Sequence, residues 1–428
     1  MDCLLIKIFL LYLVIRQCRP SRVLELSDKF TEIRKDGAFW LVKFYAPWCG
    51  HCKRLEPIWA QVAQALSGRN VRVGKVDCTR FPSIAEEFRI GGYPTIKFVK
   101  PDGDHTYHGD RTRDELVNYA IRMSGPPVQE VTRPESFNGI KRDNRLFFMY
   151  VGAREGPLWD VYFDVASKLQ PHGFFYSTNE DIAKQHLDVG ELPAVFVYKE
   201  SLHYFYSVDS GTNVEEAENL NQSLHRWVNE ERFETFPKIT RGNMNEIMQT
   251  NKYIVLVVVE EDKIKRIPAH MLKFRDTVEE LVRKKRGKYH RYFQFGWVGS
   301  PDLANSIAME KLPLPHLLVL NSTTYHHHIP DDDPTEMTAE AIDHFLWRII
   351  NRSVPAYGGN SIPVRLYRTY FEGRAALGDM WKGNPILTAV IFGLPFGFLS
   401  LILYSICCAD ILDADDDDDD YEYHAKRE

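Results

Sequence analysis

Apolar positions along this chain fall in short unbroken runs separated by stretches with helical spacing, so strands and helices alternate. Trp40 to Tyr45 is apolar and aromatic apart from Lys43 and predicts a buried strand, while Lys53 to Leu66 predicts an amphipathic helix. Val71–Val76 and Thr95–Val99 predict further strands, with helical stretches at Ile84–Phe88 and Arg113–Met123. Gly125-Pro126-Pro127 closes this first unit as a linker.

The same alternation continues. A second unit, 128–236, has strand patterns at Leu146–Val151, Phe174–Tyr176 and Ala194–Tyr198; a third, 237–351, has them at Tyr253–Val259, Tyr292–Val298 and His316–Leu320. Each unit places an X-Pro pair just before a hydrophobic strand: Tyr93-Pro94, Leu192-Pro193 and Leu314-Pro315. That recurrence predicts one α/β supersecondary unit used three times.

Both ends are hydrophobic. Leu4 to Ile15 is apolar except for Lys7 and too short to span comfortably, so 1–21 reads as a signal peptide, with an uncleaved anchor as the alternative. Pro385 to Cys408 carries no charge and is long enough to cross a bilayer. Residues 352–384 read as a stalk before the span 385–408, and 409–428 as an acidic cytosolic tail ending in a degenerate dilysine-type signal around Lys426. This layout predicts a single-pass type I protein. The sequons at Asn221, Asn321 and Asn351 all fall between leader and span, as N-glycosylation would require.

Composition narrows the classes. The 428 residues carry a formal charge of −6, and no basic patch points to nucleic acid. Seven cysteines are too few for a disulfide scaffold, so Cys49 and Cys52 read as catalytic rather than structural. They lie in YAPWCGHCK, at a predicted strand-to-helix turn, close enough to form a disulfide. A helix start offers free N–H groups and partial positive charge, which lower a thiol pKa from about 8.5 to roughly 3.5–7.5. The chemistry indicated is thiol–disulfide exchange, which needs no cofactor.

The run YAPWCGHCK, with GGYPTIKFV about forty positions later, resembles the catalytic thioredoxin domain of protein disulfide isomerases. With the two cysteine-free units and the span, the layout resembles the thioredoxin-related transmembrane group of that family. The resemblance implies three tandem thioredoxin-like domains, each a central mixed sheet flanked by helices, then one transmembrane helix. It implies that Cys49 is the exposed attacking thiol and Cys52 the resolving thiol. Gly50 and His51 lie between them, with His51 able to stabilise the Cys49 thiolate. It also implies that Pro94 is a cis-proline facing the dithiol, that Trp48 and Tyr93 meet the substrate, that Arg111 tunes the resolving thiol, and that Pro57 kinks the helix. The implied setting is the endoplasmic reticulum lumen, with cysteine-containing clients and glutathione or another redox partner.

One position departs from the family. Relatives carry a buried acid where this chain has Lys43, opposite a lysine matched by Lys75. Two ammonium groups would then face each other, so one should be neutral or reach out to water. A neutral Lys43 could accept the proton of Cys52, or a cationic Lys43 could hold Cys52 as thiolate.

Other features point less sharply. The cysteines and histidines lack the four-ligand set of a structural zinc site. Tyr325-His326-His327-His328 reads as a polar hairpin, because neighbours on a strand point to opposite faces. Tyr292, Phe293, Phe295 and Trp297 read as core or as a pocket for unfolded chains. Cys78 reads as a small buried hydrophobe, and Cys407 and Cys408 as inert or palmitoylated thiols. The rival class is a non-catalytic lumenal chaperone or tether.

Overall fold

The computed structural model describes residues 23–412, apart from 34–36, 208–215, 263 and 334–336. The expected signal peptide and residues 413–428 of the acidic tail lie outside the described residues, as do the side chains of Cys407 and Cys408.

The first domain runs β1 (Leu24–Leu26), α1 (Phe30–Ile33), β2 (Phe39–Tyr45), α2 (Gly50–Ala65), β3 (Val71–Asp77), α3 (Pro82–Glu87), β4 (Thr95–Lys100), β5 (Gly103–Thr106) and α4 (Arg113–Ser124). Its sheet has the order β1-β3-β2-β4-β5. β1, β3 and β2 are parallel, and β4 and β5 antiparallel. β2 is central and covered on both faces, which is why its sequence is nearly all apolar. Leu41 packs with Trp59 and Tyr119 on one face, while Val42 and Phe44 pack with Phe30 and Phe88 on the other. By alternation Lys43 shares the Leu41 face, toward α2.

The second domain repeats this plan with β6 (Gln129–Val131), α5 (Pro134–Asp143), β7 (Leu146–Val151), α6 (Pro157–Leu169), β8 (Phe175–Thr178), α7 (Glu180–Ala183), β9 (Ala194–Lys199), β10 (Leu202–Phe205) and α8 (Glu216–Glu231). Its order, β10-β9-β7-β8-β6, is the first sheet read from the other edge.

The third domain contains α9 (Met244–Met248), β11 (Tyr253–Val258), α10 (Ala269–Lys284), α11 (Arg286–Tyr289), β12 (Phe293–Val298), α12 (Asp302–Ala308), β13 (His316–Asn321), β14 (His326–His328), α13 (Ala339–Ile350) and β15 (Tyr357–Gly358). Its sheet runs β12-β11-β13-β14-β15. The first edge strand shrinks to one parallel bridge, Lys238 with Trp297. Gly296 permits that approach, since a Cβ there would sit 2.7 Å from the Pro237 carbonyl.

Two readings change in this domain. The histidine run is a strand of a hairpin, but His327 and His328 are buried rather than solvated. β15, taken from the stretch read as stalk, pairs with β14 and extends the sheet past residue 351. Phe293 and Phe295 are core residues, which favours core over pocket for the aromatic strand.

All three X-Pro bonds are cis: Tyr93-Pro94, Leu192-Pro193 and Leu314-Pro315. Each immediately precedes β4, β9 or β13, the strand antiparallel to the centre of its sheet.

The junctions are polar and specific. Arg122 donates to the Pro171 carbonyl, and Gln170 donates to Arg122 and Gly125 carbonyls, which pins the linker. Between the second and third domains, buried Glu231 meets Lys199, Arg286 and His290. Thr240 of the third domain donates to Asp110 of the first at 2.5 Å.

After β15 come two long helices, α14 (Ile362–Gly383) and α15 (Pro385–Leu412). The segment Pro385–Ile406 of α15 is long and apolar enough to cross a membrane.

Candidate active site

The dithiol sits where β2 ends and α2 begins. Cys49 is the N-cap of α2 with extended backbone (φ −74°, ψ 112°), and Cys52 lies in the first turn. The Cys52 amide donates to Cys49 Sγ at 3.1 Å. A helix N-terminus has no internal partner for its first N–H groups, so sulfur fills that role here. The two cysteines form a disulfide with Cα atoms 5.3 Å apart. Cys49 is 6 % exposed and Cys52 3 %, so the expected exposed thiol is only slightly the more open of the two. Both pack in a small cluster with Ala46, Tyr45 and Tyr93.

Around them, Trp48 is 72 % exposed and meets Tyr93 edge-on at 6.1 Å. Gly50 is open, with nothing where a Cβ would stand. His51 is exposed and accepts from Arg54 Nη2 at 2.8 Å through Nδ1, because a guanidinium can only donate. Arg111 donates to the Pro94 carbonyl at 3.1 Å, which joins the loop before α4 to the cis-proline turn. Cys78 is buried, and burial pushes its thiol up to about 11, consistent with a core residue. Pro57 lies inside α2 as expected.

Lys43 is fully buried, and it does face Lys75 across the β2–β3 pairing. The conflict is resolved by a residue the sequence reading did not single out. Glu56 of α2 bonds Lys43 through one carboxylate oxygen and Lys75 through the other, the latter at 3.2 Å. Lys75 also reaches Glu25 at 3.1 Å. Cys52, Glu56 and Trp59 share one face of α2 by their spacing of four and three, so Glu56 lies one turn beyond the resolving thiol. Lys43 Nζ also stands 5.9 Å from the Trp59 ring and 5.4 Å from that of Tyr45.

The charges of this triad are linked. Burial pulls Lys43 below the usual lysine value, Glu56 opposes the fall and Lys75 adds to it. Burial would raise Glu56, but hydrogen bonds and charge from the two lysines outweigh it and hold Glu56 below the usual carboxylate range. Lys75 loses to burial but gains more from Glu25 and Glu56, and ends above its ordinary value. Glu56 is thus held ionised between the two lysines.

Of the sequons, Asn351 is exposed at the C-terminal cap of α13. Asn321 is half-buried, with Oδ1 taken by the amides of Thr323 and Thr324. Asn221 lies inside α8, with its amide donating to Asp164.

Comparison with known proteins agrees with this geometry. Residues 22–122 match the thioredoxin family, and 152–347 match a thioredoxin-like domain. The chain is 34 % identical over 397 residues to protein disulfide-isomerase TMX3 of Xenopus laevis, covering 92 % of this chain and 83 % of that protein. It is 35 % identical over 388 residues to the protein of the same name from Homo sapiens, covering 90 % and 82 %. With a disulfide-forming pair capping a helix, Tyr93 of a cis Tyr93-Pro94 bond packed against it, and relatives aligned through all three sheets, the chain belongs to the protein disulfide isomerase family of thiol–disulfide oxidoreductases.

Proposed function

We propose that this protein is a disulfide isomerase held by one span in the endoplasmic reticulum membrane, its dithiol domain in the lumen, acting on cysteine-containing clients. The observation that carries the reading is Cys49 Sγ accepting the Cys52 amide at a helix start. That N–H and the helix dipole favour a thiolate at Cys49. In the reductive direction, the Cys49 thiolate attacks a client disulfide, forming a mixed disulfide and releasing one client thiolate. Cys52 then attacks Cys49 Sγ, closing the Cys49–Cys52 bond and releasing the second client thiolate. The client gains two electrons and the pair loses two; the reverse oxidises a client. Glutathione or a protein partner resets the pair.

Trp48 and Tyr93 form the apolar rim that receives the client chain, and Pro94 lies beneath it. Arg111 holds the proline turn. Lys43 acts as a cation, with the Glu56 carboxylate beside it opposing the burial that would neutralise it. Its charge, beside the carboxylate one turn beyond Cys52, favours the Cys52 thiolate, and half-exposed Glu56 is the route by which the proton reaches water. Asn351 is the sequon best presented for a glycan, while Asn321 and Asn221 have side chains already engaged.

The test is a Cys52→Ala variant of the full chain, expressed in cells and run on non-reducing gels. It should trap clients covalently, and the traps should vanish when Cys49 is also replaced. Clients retained equally well without either cysteine would support the non-catalytic chaperone instead.

A further inference from the structure

The last helix before the span, α14, has two unlike faces. Val364, Arg368 and Phe371 are partly covered, and they are spaced by four and three. Arg368 donates to the Gly359 carbonyl, and Ser306 of α12 bonds Glu372, so this side rests on the third domain. The opposite side carries Ile362, Leu366, Tyr370, Leu377, Met380 and Trp381, all exposed. At 3.6 residues per turn these six fall within an arc of roughly 100°. Arg374 lies about 20° beyond one edge of that arc and Arg365 about 60° beyond the other, with Glu372 and Asp379 further round on the Arg365 side.

The sequence continues directly into the span. Asn384 leaves helical geometry (φ −157°, ψ 89°), caps α14 through its amide on Met380, and caps α15 by accepting the Leu387 amide. Trp381 therefore stands four residues from the first residue of the membrane segment. An apolar stripe with aromatic rings, basic margins and direct continuity with a bilayer span fits the boundary between headgroups and acyl chains.

We propose that α14 lies in the membrane interface with this face down, so that the third domain is seated on the lipid surface rather than raised on a stalk. A bilayer supplies what the face requires: apolar depth for Leu366, Tyr370 and Leu377, and phosphates for Arg365 and Arg374. Ile362 to Gly383 spans roughly 33 Å at 1.5 Å per residue, so the contact extends well away from the point of insertion. The orientation of the dithiol domain relative to the membrane follows, because α14 is packed on the domain above it. The inference is independent of which compartment the domain occupies.

The experiment uses the full chain in dioleoylphosphatidylcholine nanodiscs, compared with discs of the same lipid brominated at its double bonds. Bromine quenches tryptophan only at short range. Leu366→Trp adds one ring at an exposed position, and its emission is the difference from the parent protein; Trp381→Phe gives the Trp381 emission in the same way. With α14 in the interface, the ring at 366 is quenched at least as strongly as Trp381. With α14 standing upright, residue 366 lies roughly 28 Å above the start of the span and escapes quenching, which overturns the proposal. An unquenched ring at 366 in discs holding two copies of the chain would assign the face to a second copy, and would overturn it equally.

Discussion

Replacing the two partners of the Lys43–Glu56 pair one at a time should give unequal results. Lys43 has none of its side chain exposed, whereas Glu56 is 49 % exposed. Glu56→Gln strands a buried ammonium. Removing one member of a fully buried ion pair costs about 3–5 kcal/mol, and the half-exposed site reduces that to roughly 1–3 kcal/mol, the range of a charge-assisted hydrogen bond. Lys43→Met strands only Glu56, which keeps water and Lys75. Apolar replacement of a buried charge is commonly neutral or stabilising, so its cost should be within about 1 kcal/mol of zero. The domains will not unfold as one unit, so the probe must be local. Cys78, buried in the first domain, suits the purpose: its alkylation in rising urea, read by peptide mass spectrometry on oxidised protein, reports unfolding of that domain alone. Glu56→Gln should lower the urea midpoint and Lys43→Met should leave it nearly unchanged. A Lys43→Met loss equal to or larger than that of Glu56→Gln would refute the reasoning.

Four further outcomes follow. In reduced protein mixed with oxidised glutathione, which accepts the two electrons, Lys43→Met should slow closure of the Cys49–Cys52 bond at neutral pH and shift its pH profile upward, about tenfold per unit of Cys52 pKa; an unchanged profile removes Lys43 from the chemistry. Gly242→Val should break the Thr240–Asp110 hydrogen bond between the first and third domains, because a Cβ there displaces the Asp110 carboxylate, and the loop around Arg111 should then exchange amide hydrogens faster. His290, pushed down to about 4 by burial despite Glu231, and with Lys252 and Arg286 adding to the fall, should make the junction of the second and third domains lose stability as pH drops from about 6.5 toward 4. The unfolded chain takes up that proton first; Glu231, held well below 4.5, adds its own loss only at lower pH, and His290→Gln should flatten the upper part of a urea-midpoint profile.

Much of the fold was written in local pattern. β2, β7, β11 and the strands after each proline are largely apolar runs because they are covered on both faces, and such runs need no tertiary knowledge to find. Edge strands were not legible. β5 carries Asp104 and His105 and is exposed, so its sequence resembles a loop. The histidine strand β14 misled by composition: its burial depends on β15, which arrives from a stretch thirty residues on with no strand pattern of its own. In the site, the dithiol and its proline were evident from two short runs. Glu56 was not, although its four-residue spacing from Cys52 was a usable signal. Its importance comes from Lys43 reaching across from another element, and a charge on a solvent-facing helix position normally means little.

The central claim is that the start of α2 holds Cys49 as a thiolate, and iodoacetamide alkylation of the reduced full chain across pH measures this directly. Cys49 should react with an apparent pKa clearly below the roughly 8.5 of a free cysteine and far faster at neutral pH than buried Cys78. A Cys49 titration at or above the free-cysteine value would contradict the account.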